Sequence, residues 1–251
     1  MPRFGRLSLA GPPVLLRAVI GGLVLLVVSE SVTSMPTKST PEWRRISDEA
    51  YFSDLLYPCS DDLPQVQPAG PPTDTFAIEY VKILGERTTA CLGHASKLLA
   101  VNLPESCSTL QDVMEAPDQV TLQSLSQAQA LSSLYGFLVS HAAYAFFVSE
   151  QAEKYANSSC ASPNEHTLAE NSRTLAAQLR DLLCTIKLTA SVHGGNVEFS
   201  ASEERVASLR VCDESTCSRR LLRDCQVVAS VANVLRTLQR YLMGLQTDEA
   251  S

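Results

Sequence analysis

The chain contains no Cys-x-x-Cys pair, and its four histidines, His94, His141, His166 and His193, stand singly and far apart. Structural zinc sites draw on ligands paired at short spacing, so no metal centre is expected. Also missing are Gly-x-Ser-x-Gly, the phosphate-cradling P-loop, His-Glu-x-x-His and the dinucleotide fingerprint. Asp and Glu are dispersed along polar helix faces, where solvated charge is the default role. No catalytic residues and no cofactor are expected, and the chain is not read as an enzyme. His193-Gly194-Gly195 is the nearest approach to a glycine-rich nest, but it follows a helical pattern instead of opening one. It reads as a helix stop in which glycine supplies the left-handed residue. The N-terminal apolar run, Ala18 to Val28, is eleven residues long, whereas a helix that spans a bilayer takes about 20.

What is present begins with that run. Arg3, Arg6 and Arg17 precede it, and Ser29 to Ser34 follow with small residues, which is the order of a signal peptide. Val32 and Ser34 suit cleavage, with Ser29 and Ser31 as a second choice, so residues 1–34 are expected to be removed and the protein to be secreted. Oxidising compartments form disulfides, and the eight cysteines, Cys59, Cys91, Cys107, Cys160, Cys184, Cys212, Cys217 and Cys225, are even in number. Parity alone assigns no pairing. Asn157-Ser158-Ser159 is a glycosylation acceptor usable after secretion. Loss of Arg3, Arg6, Arg17 and Glu30 moves the formal charge from −7 to −9. That balance disfavours nucleic acid and anionic lipid as partners.

Residues 35–72 carry seven prolines and few apolar repeats, which predicts an extended N-terminal arm outside the core. Trp43 and the run Tyr51 to Tyr57 are its only parts able to dock. Residues 73–246 read as one domain of four long helices, followed by a flexible tail at 247–251. The first starts at a cap, Thr73 or Asp74, and places Ile78, Val81, Leu84, Leu92, Ala95 and Leu99 on one face; Gly85 and Gly93 weaken it and Pro104 stops it. The second runs from near Val120 to about Tyr155 and is the most apolar, hence the most buried. The third follows Pro163, carries Leu168, Leu175, Leu179, Leu182, Leu183 and Ile186, and ends before Gly194. A β-prone piece, Asn196 to Phe199, and a polar loop lead to the fourth, Ser218 to Leu245. The first and third connections are long, roughly 20 and 25 residues, and the second is about ten. Long crossovers allow an all-α, up-up-down-down four-helix bundle.

Several short pieces of the C-terminal half carry a resemblance: Leu182-Leu183-Cys184, Val192-His193-Gly194, Asn196-Val197-Glu198-Phe199, and Leu221 through Cys225-Gln226-Val227. Residues 166–242 resemble the leukaemia inhibitory factor and oncostatin M branch of the interleukin-6 cytokine family, most closely its fish members. The resemblance implies a long-chain helical cytokine, monomeric as a ligand, with bridges Cys107–Cys225 and Cys59–Cys184. Helix geometry agrees with the second: at about 100° per residue Cys184 falls opposite the apolar face of the third helix, so its partner must lie outside the bundle, as the arm does. Cys212 with Cys217 could close a small loop, with Cys91 and Cys160 left over, but the sequence leaves these four unassigned. The family joins glycoprotein 130 to a co-receptor and triggers phosphorylation by associated kinases. Its shared-receptor contacts, carried onto this chain, fall on Glu79, Lys82, Glu86 and Lys97 of the first helix and on Glu170, Arg173, Ala177 and Arg180 of the third. A second family patch uses Phe-x-x-Lys before the last helix's cysteine. This chain has Ser218 and Leu221 there, with Arg219, Arg220 and Arg223 making the turn basic, which leaves the leukaemia inhibitory factor or oncostatin M type of co-receptor open. The rival to signalling is a secreted lipid carrier, since amphipathic helices can open around acyl chains.

Overall fold

In the computed structural model, which describes residues 43–59, 74–103, 107, 116–156, 164–195, 199–212 and 216–249, the chain is mostly helical. A strand β1 (Trp43–Arg45), a 3-10 turn (Ile46–Asp48) and a short helix α1 (Phe52–Leu56) come first. Then follow α2 (Asp74–Lys97) with a π turn at Leu98–Asn102, α3 (Gln119–Gln123), α4 (Gln127–Ala156), α5 (Glu165–Val192), α6 (Phe199–Ser208), β2 (Arg210–Cys212) and α7 (Cys217–Glu249). The leader and its cleavage site, the sequon at Asn157, Cys160, and the prolines at 104 and 163 lie outside the described residues.

The three-four spacing of α2 turns Val81, Leu84, Cys91, Ala95 and Leu98 inward, while Ile78 remains half exposed. The expected second helix is instead two. Asp118 caps α3 by accepting from the Thr121 N–H at 3.0 Å. Ser126 and Gln129 then close a reciprocal capping box on α4, the Ser126 N–H donating to Gln129 Oε1 at 3.1 Å and the Gln129 N–H to Ser126 Oγ at 3.3 Å. Val120, counted in the sequence as the start of the apolar stripe, is 73% exposed. By length and composition α4 passes for a membrane span, yet 67% of its most apolar window is buried inside the protein, as befits the core helix.

The end of α5 is a Schellman motif. Gly194 takes φ +75°, its N–H bonds the Ser191 carbonyl at 3.1 Å, and the Gly195 N–H reaches Ala190 O at 2.9 Å. A Cβ at Gly195 would stand 2.5 Å from Ala128 Cβ, so close approach to the start of α4 also requires glycine there. Beyond it the structure differs from the sequence reading. Phe199, expected to finish a β-prone piece, opens α6, and the supposed polar loop holds α6 and β2. The sequence Ser-Ala-Ser-Glu-Glu is a helix-start pattern that the strand reading overlooked. The fourth helix continues through Glu249, past the expected boundary at 246.

Helices α2 and α4 each pack against both α5 and α7. Contacts give the directions. Arg87 Nη1 donates to Asp181 O at 3.1 Å and Lys97 Nζ to Asn171 Oδ1 at 3.4 Å, so α2 and α5 are antiparallel. Gln127 with His193 at 3.1 Å and Arg173 with Glu153 at 2.6 Å make α4 and α5 antiparallel. Gln239 to Thr89 at 3.2 Å joins α7 to α2. Leu134, Leu138, Leu179, Leu182, Val231 and Leu235 fill the space between the four and are fully buried; each such side chain contributes about 1.5–3 kcal/mol. Of the arm, residues 43–59 are described; the run Tyr51 to Tyr57 docks as its composition allowed, whereas Trp43 stays 62% exposed. Ile46, Tyr51 and Leu55 join this core, and β1 pairs antiparallel with β2, Trp43 opposite Cys212 and Arg45 opposite Arg210.

Candidate functional site

Cys184 lies on the outer side of α5, where the arm covers it. It is bonded to Cys59, just past α1, with Cα atoms 4.9 Å apart. Cys107, whose N–H bonds Leu103 O at 3.0 Å, is bonded to the fully buried Cys225 of α7, Cα to Cα 5.5 Å. These are the two pairs that the resemblance implies, and disulfides belong to oxidising compartments. The other four cysteines, which the sequence leaves unassigned, do not form the two pairs considered for them. Cys217 is disulfide-bonded to a residue outside the described set, so the small Cys212–Cys217 loop does not close. Cys91 keeps a buried thiol on α2, so it does not pair with Cys160. Burial, aided by Asp181 against Arg87, pushes that thiol up to about 12, which leaves it inert as a nucleophile.

The helix-surface residues divide. Glu79, Lys82, Glu86 and Lys97 are exposed on α2, and Glu170, Arg173 and Ala177 on α5, with Arg180 half-buried. Glu79 borders a groove shared with Cys184 and Leu188 of α5, whereas Lys82 and Glu86 border one shared with Gln239 and Met243 of α7. The α2 set therefore straddles two helix junctions. Arg173 and Arg180 line a larger open groove between α1, α4 and α5, beside the Cys59–Cys184 bridge. Both have partners: Arg173 Nε sits 2.6 Å from Glu153 Oε1, and Arg180 Nη1 is 3.7 Å from Asp54 Oδ1. Such exposed pairs are easily exchanged for a partner's charges.

The start of α7 departs furthest from expectation. Arg219 is exposed, but Arg220, read from the sequence as a surface contact, is 1% exposed. Its Nη2 lies 2.6 Å from Oε1 of Glu165, the first residue of α5, and its Nη1 lies 3.6 Å from Oδ2 of Asp224 one turn on. The guanidinium also stacks over Tyr155 at 4.8 Å, near the end of α4. Arg223 holds Asp224 Oδ1 at 2.6 Å, donates to Cys212 O at 2.9 Å, and stacks over Phe147 at 4.8 Å. Four charges thus cancel inside the protein where α4, α5, α7 and β2 converge, and Arg220 cannot reach a partner. The Arg220–Glu165 contact is ionic, for neither Glu165 oxygen nor any Arg220 nitrogen makes a directed hydrogen bond.

Burial lifts the Asp224 carboxyl to about 6, against the pull of Arg223 and Arg220 and with Glu165 adding to the rise. An unfolded aspartate titrates near about 3.9. The folded chain binds this proton more tightly, so the contribution to stability is full below about pH 4 and is lost as pH rises through about 6, roughly 3 kcal/mol in total. Asp224→Asn is expected to flatten that part of the stability curve, as read from urea midpoints between about pH 4 and 7. An unchanged slope would assign the titration to another group.

No protein-family model, no curated protein and no solved structure matches the chain. Among the described residues, no cluster of three or more His, Cys, Asp or Glu is placed to hold a metal ion.

Proposed function

We propose that this chain is a secreted helical cytokine of the leukaemia inhibitory factor and oncostatin M type. It assembles a glycoprotein 130-like receptor with a co-receptor of that branch and so activates receptor-associated kinases. The observation that carries the reading is the pair of bridges, Cys107–Cys225 and Cys59–Cys184, which clasp a loop to α7 and the arm to α5. The helix directions support it too. With α2 and α4 both antiparallel to α5, and with the start of α7 meeting the start of α5 through Arg220 and Glu165, the four long helices fit an up-up-down-down bundle with long first and third crossovers.

The receptor patches follow the exposed residues. Glu79, Lys82, Glu86 and Lys97 on α2, with Glu170, Arg173 and Arg180 on α5, are assigned to the shared receptor. At the start of α7 only Arg219 remains of the basic pair Arg219 and Arg220. The purified mature chain is expected to bind the glycoprotein 130 ectodomain in a surface-binding measurement, and charge reversal at Glu79 and Arg173 together to weaken that binding by about tenfold. No binding by the unaltered chain would sink the proposal. Fatty ligand co-purifying with a chain that lacks receptor affinity would favour the carrier reading instead.

A further inference from the structure

Arg45 of β1 and Arg210 of β2 stand directly opposite each other in the two-stranded sheet. Both are exposed, and neither makes an ion pair among the described residues. Opposed side chains in such a ladder lie about 4.5–5.5 Å apart at Cβ, where like charges work against the pairing. An intramolecular role would have supplied a counter-charge, as the structure does for Arg44 with Glu49 at 3.0 Å. Two residues along β1, on the same face, Trp43 is 62% exposed and is the chain's only tryptophan. Cys212, opposite Trp43, is tied through its carbonyl to Arg223, and Arg219 lies one turn before Arg223 on the same side of α7. An exposed indole thus shares its face with Arg45 and Arg210, with Arg219 on the adjoining turn of α7, and none of the three arginines has a counter-ion among the described residues, on a chain whose net charge is −7.

We propose that this sheet face, Trp43 with Arg45 and Arg210 and with Arg219 at its edge, docks on an acidic surface of a partner protein. The proposal rests on the receptor-assembling reading and names that partner's surface as the co-receptor's. The face then replaces the absent Phe-x-x-Lys, with the aromatic group supplied by the arm and the cations by both strands. Charge complementarity selects the occupant: three cations seek carboxylates, and Trp and Arg are the side chains that most often anchor protein interfaces. A long sulfated polysaccharide fits less well, because beyond these few arginines it would meet an acidic surface.

The test uses the mature chain, Trp43→Ala, and the double variant Arg45→Glu with Arg210→Glu. Unchanged melting temperatures establish that all are folded, as expected for exposed positions. Binding is measured to the ectodomains of glycoprotein 130 and of the leukaemia inhibitory factor and oncostatin M receptors, and retention is measured on heparin. The expected result is glycoprotein 130 affinity within about twofold of the parent, and co-receptor affinity reduced at least roughly tenfold in both variants. The parent's co-receptor affinity should also fall with salt more steeply than that of the double variant. Parent-like co-receptor binding by both variants would overturn this proposal alone, as would a loss confined to heparin retention. A parent chain that binds no receptor ectodomain would overturn the receptor reading itself.

Discussion

Arg220→Ala is expected to destabilise the protein by about 3–5 kcal/mol, the cost of leaving a buried charge without its partner. Glu165 would keep its carboxylate at 1% exposure with the nearest cation gone. Asp224, fully buried, would retain Arg223 alone. At this chain length the loss corresponds to a melting temperature about 10 °C lower. Glu165→Ala should cost a similar amount from the other side. The informative companion is the double replacement Arg220→Met with Glu165→Leu. The pair makes no directed hydrogen bonds that repay its desolvation, so an apolar pair of similar volume is expected to restore parent stability or exceed it. Thermal and urea unfolding of the three variants gives the coupling directly. Single variants within about 0.5 kcal/mol of the parent would mean that water reaches the cluster. A double variant as poor as the singles would mean that the ion pair fixes how α5 and α7 meet.

Removing the Cys107–Cys225 bridge as the double serine variant should cost about 2–4 kcal/mol, chiefly by freeing the unfolded chain. The bridge closes a loop of 118 residues in sequence separation, and Cys59–Cys184 closes one of 125 that overlaps it. Because the loops overlap, each bridge constrains the chain less while the other is in place, so removing both should cost more than the sum of the single removals. The Cys107 bridge also reaches into the core, for Cys225 is fully buried beside Asp224, so Cys225→Ser places a hydroxyl where no water enters. Urea unfolding of the oxidised proteins reads the cost. A non-reducing peptide map of the parent is expected to link Cys107 to Cys225 and Cys59 to Cys184, and to leave Cys91 as a thiol. A Cys91 disulfide in that map would overturn the assignment.

Helical elements were legible where a single periodic face sufficed. The stripe of α5 and its glycine stop are local facts, since three-four spacing and a left-handed glycine need no tertiary partner. Cys184 was legible for the same reason: an outward position on a helix that is otherwise apolar on its inner face points to a partner beyond the bundle. The break before α4 was readable as well, because Ser126 and Gln129 form a capping box, but continuous apolar spacing on both sides hid it. In the arm, docking of Tyr51 and Leu55 was legible, whereas burial of Ile46 and exposure of Trp43 were not. Ile46, Tyr51 and Leu55 are three apolar residues among many polar ones, and what buries them is the surface of helices that lie far away in sequence.

The candidate surface divides along the same line. Exposure of Glu79, Lys82, Glu86, Glu170 and Arg173 follows from the polar side of one helix at a time. Burial of Arg220 does not. An Arg and an Asp four residues apart were visible in the sequence, but such a pair on an isolated helix is usually solvated. Its fate depends on Glu165 at the start of α5 and Tyr155 near the end of α4 arriving at the same point. The sheet of Trp43–Arg45 with Arg210–Cys212 joins strands separated by most of the chain, and neither strand is long enough to announce itself.

By itself the sequence determined the helical character, the inward faces of the long helices, the caps and stops, and the outward aim of Cys184, because each follows from backbone periodicity and side-chain chemistry within about 20 residues. Only the tertiary structure decided which charges are internal and which face water, which cysteines meet, and that Trp43 shares a sheet face with Arg45 and Arg210. Those outcomes depend on groups distant in sequence converging, where burial makes a missing counter-charge costly and water makes it cheap.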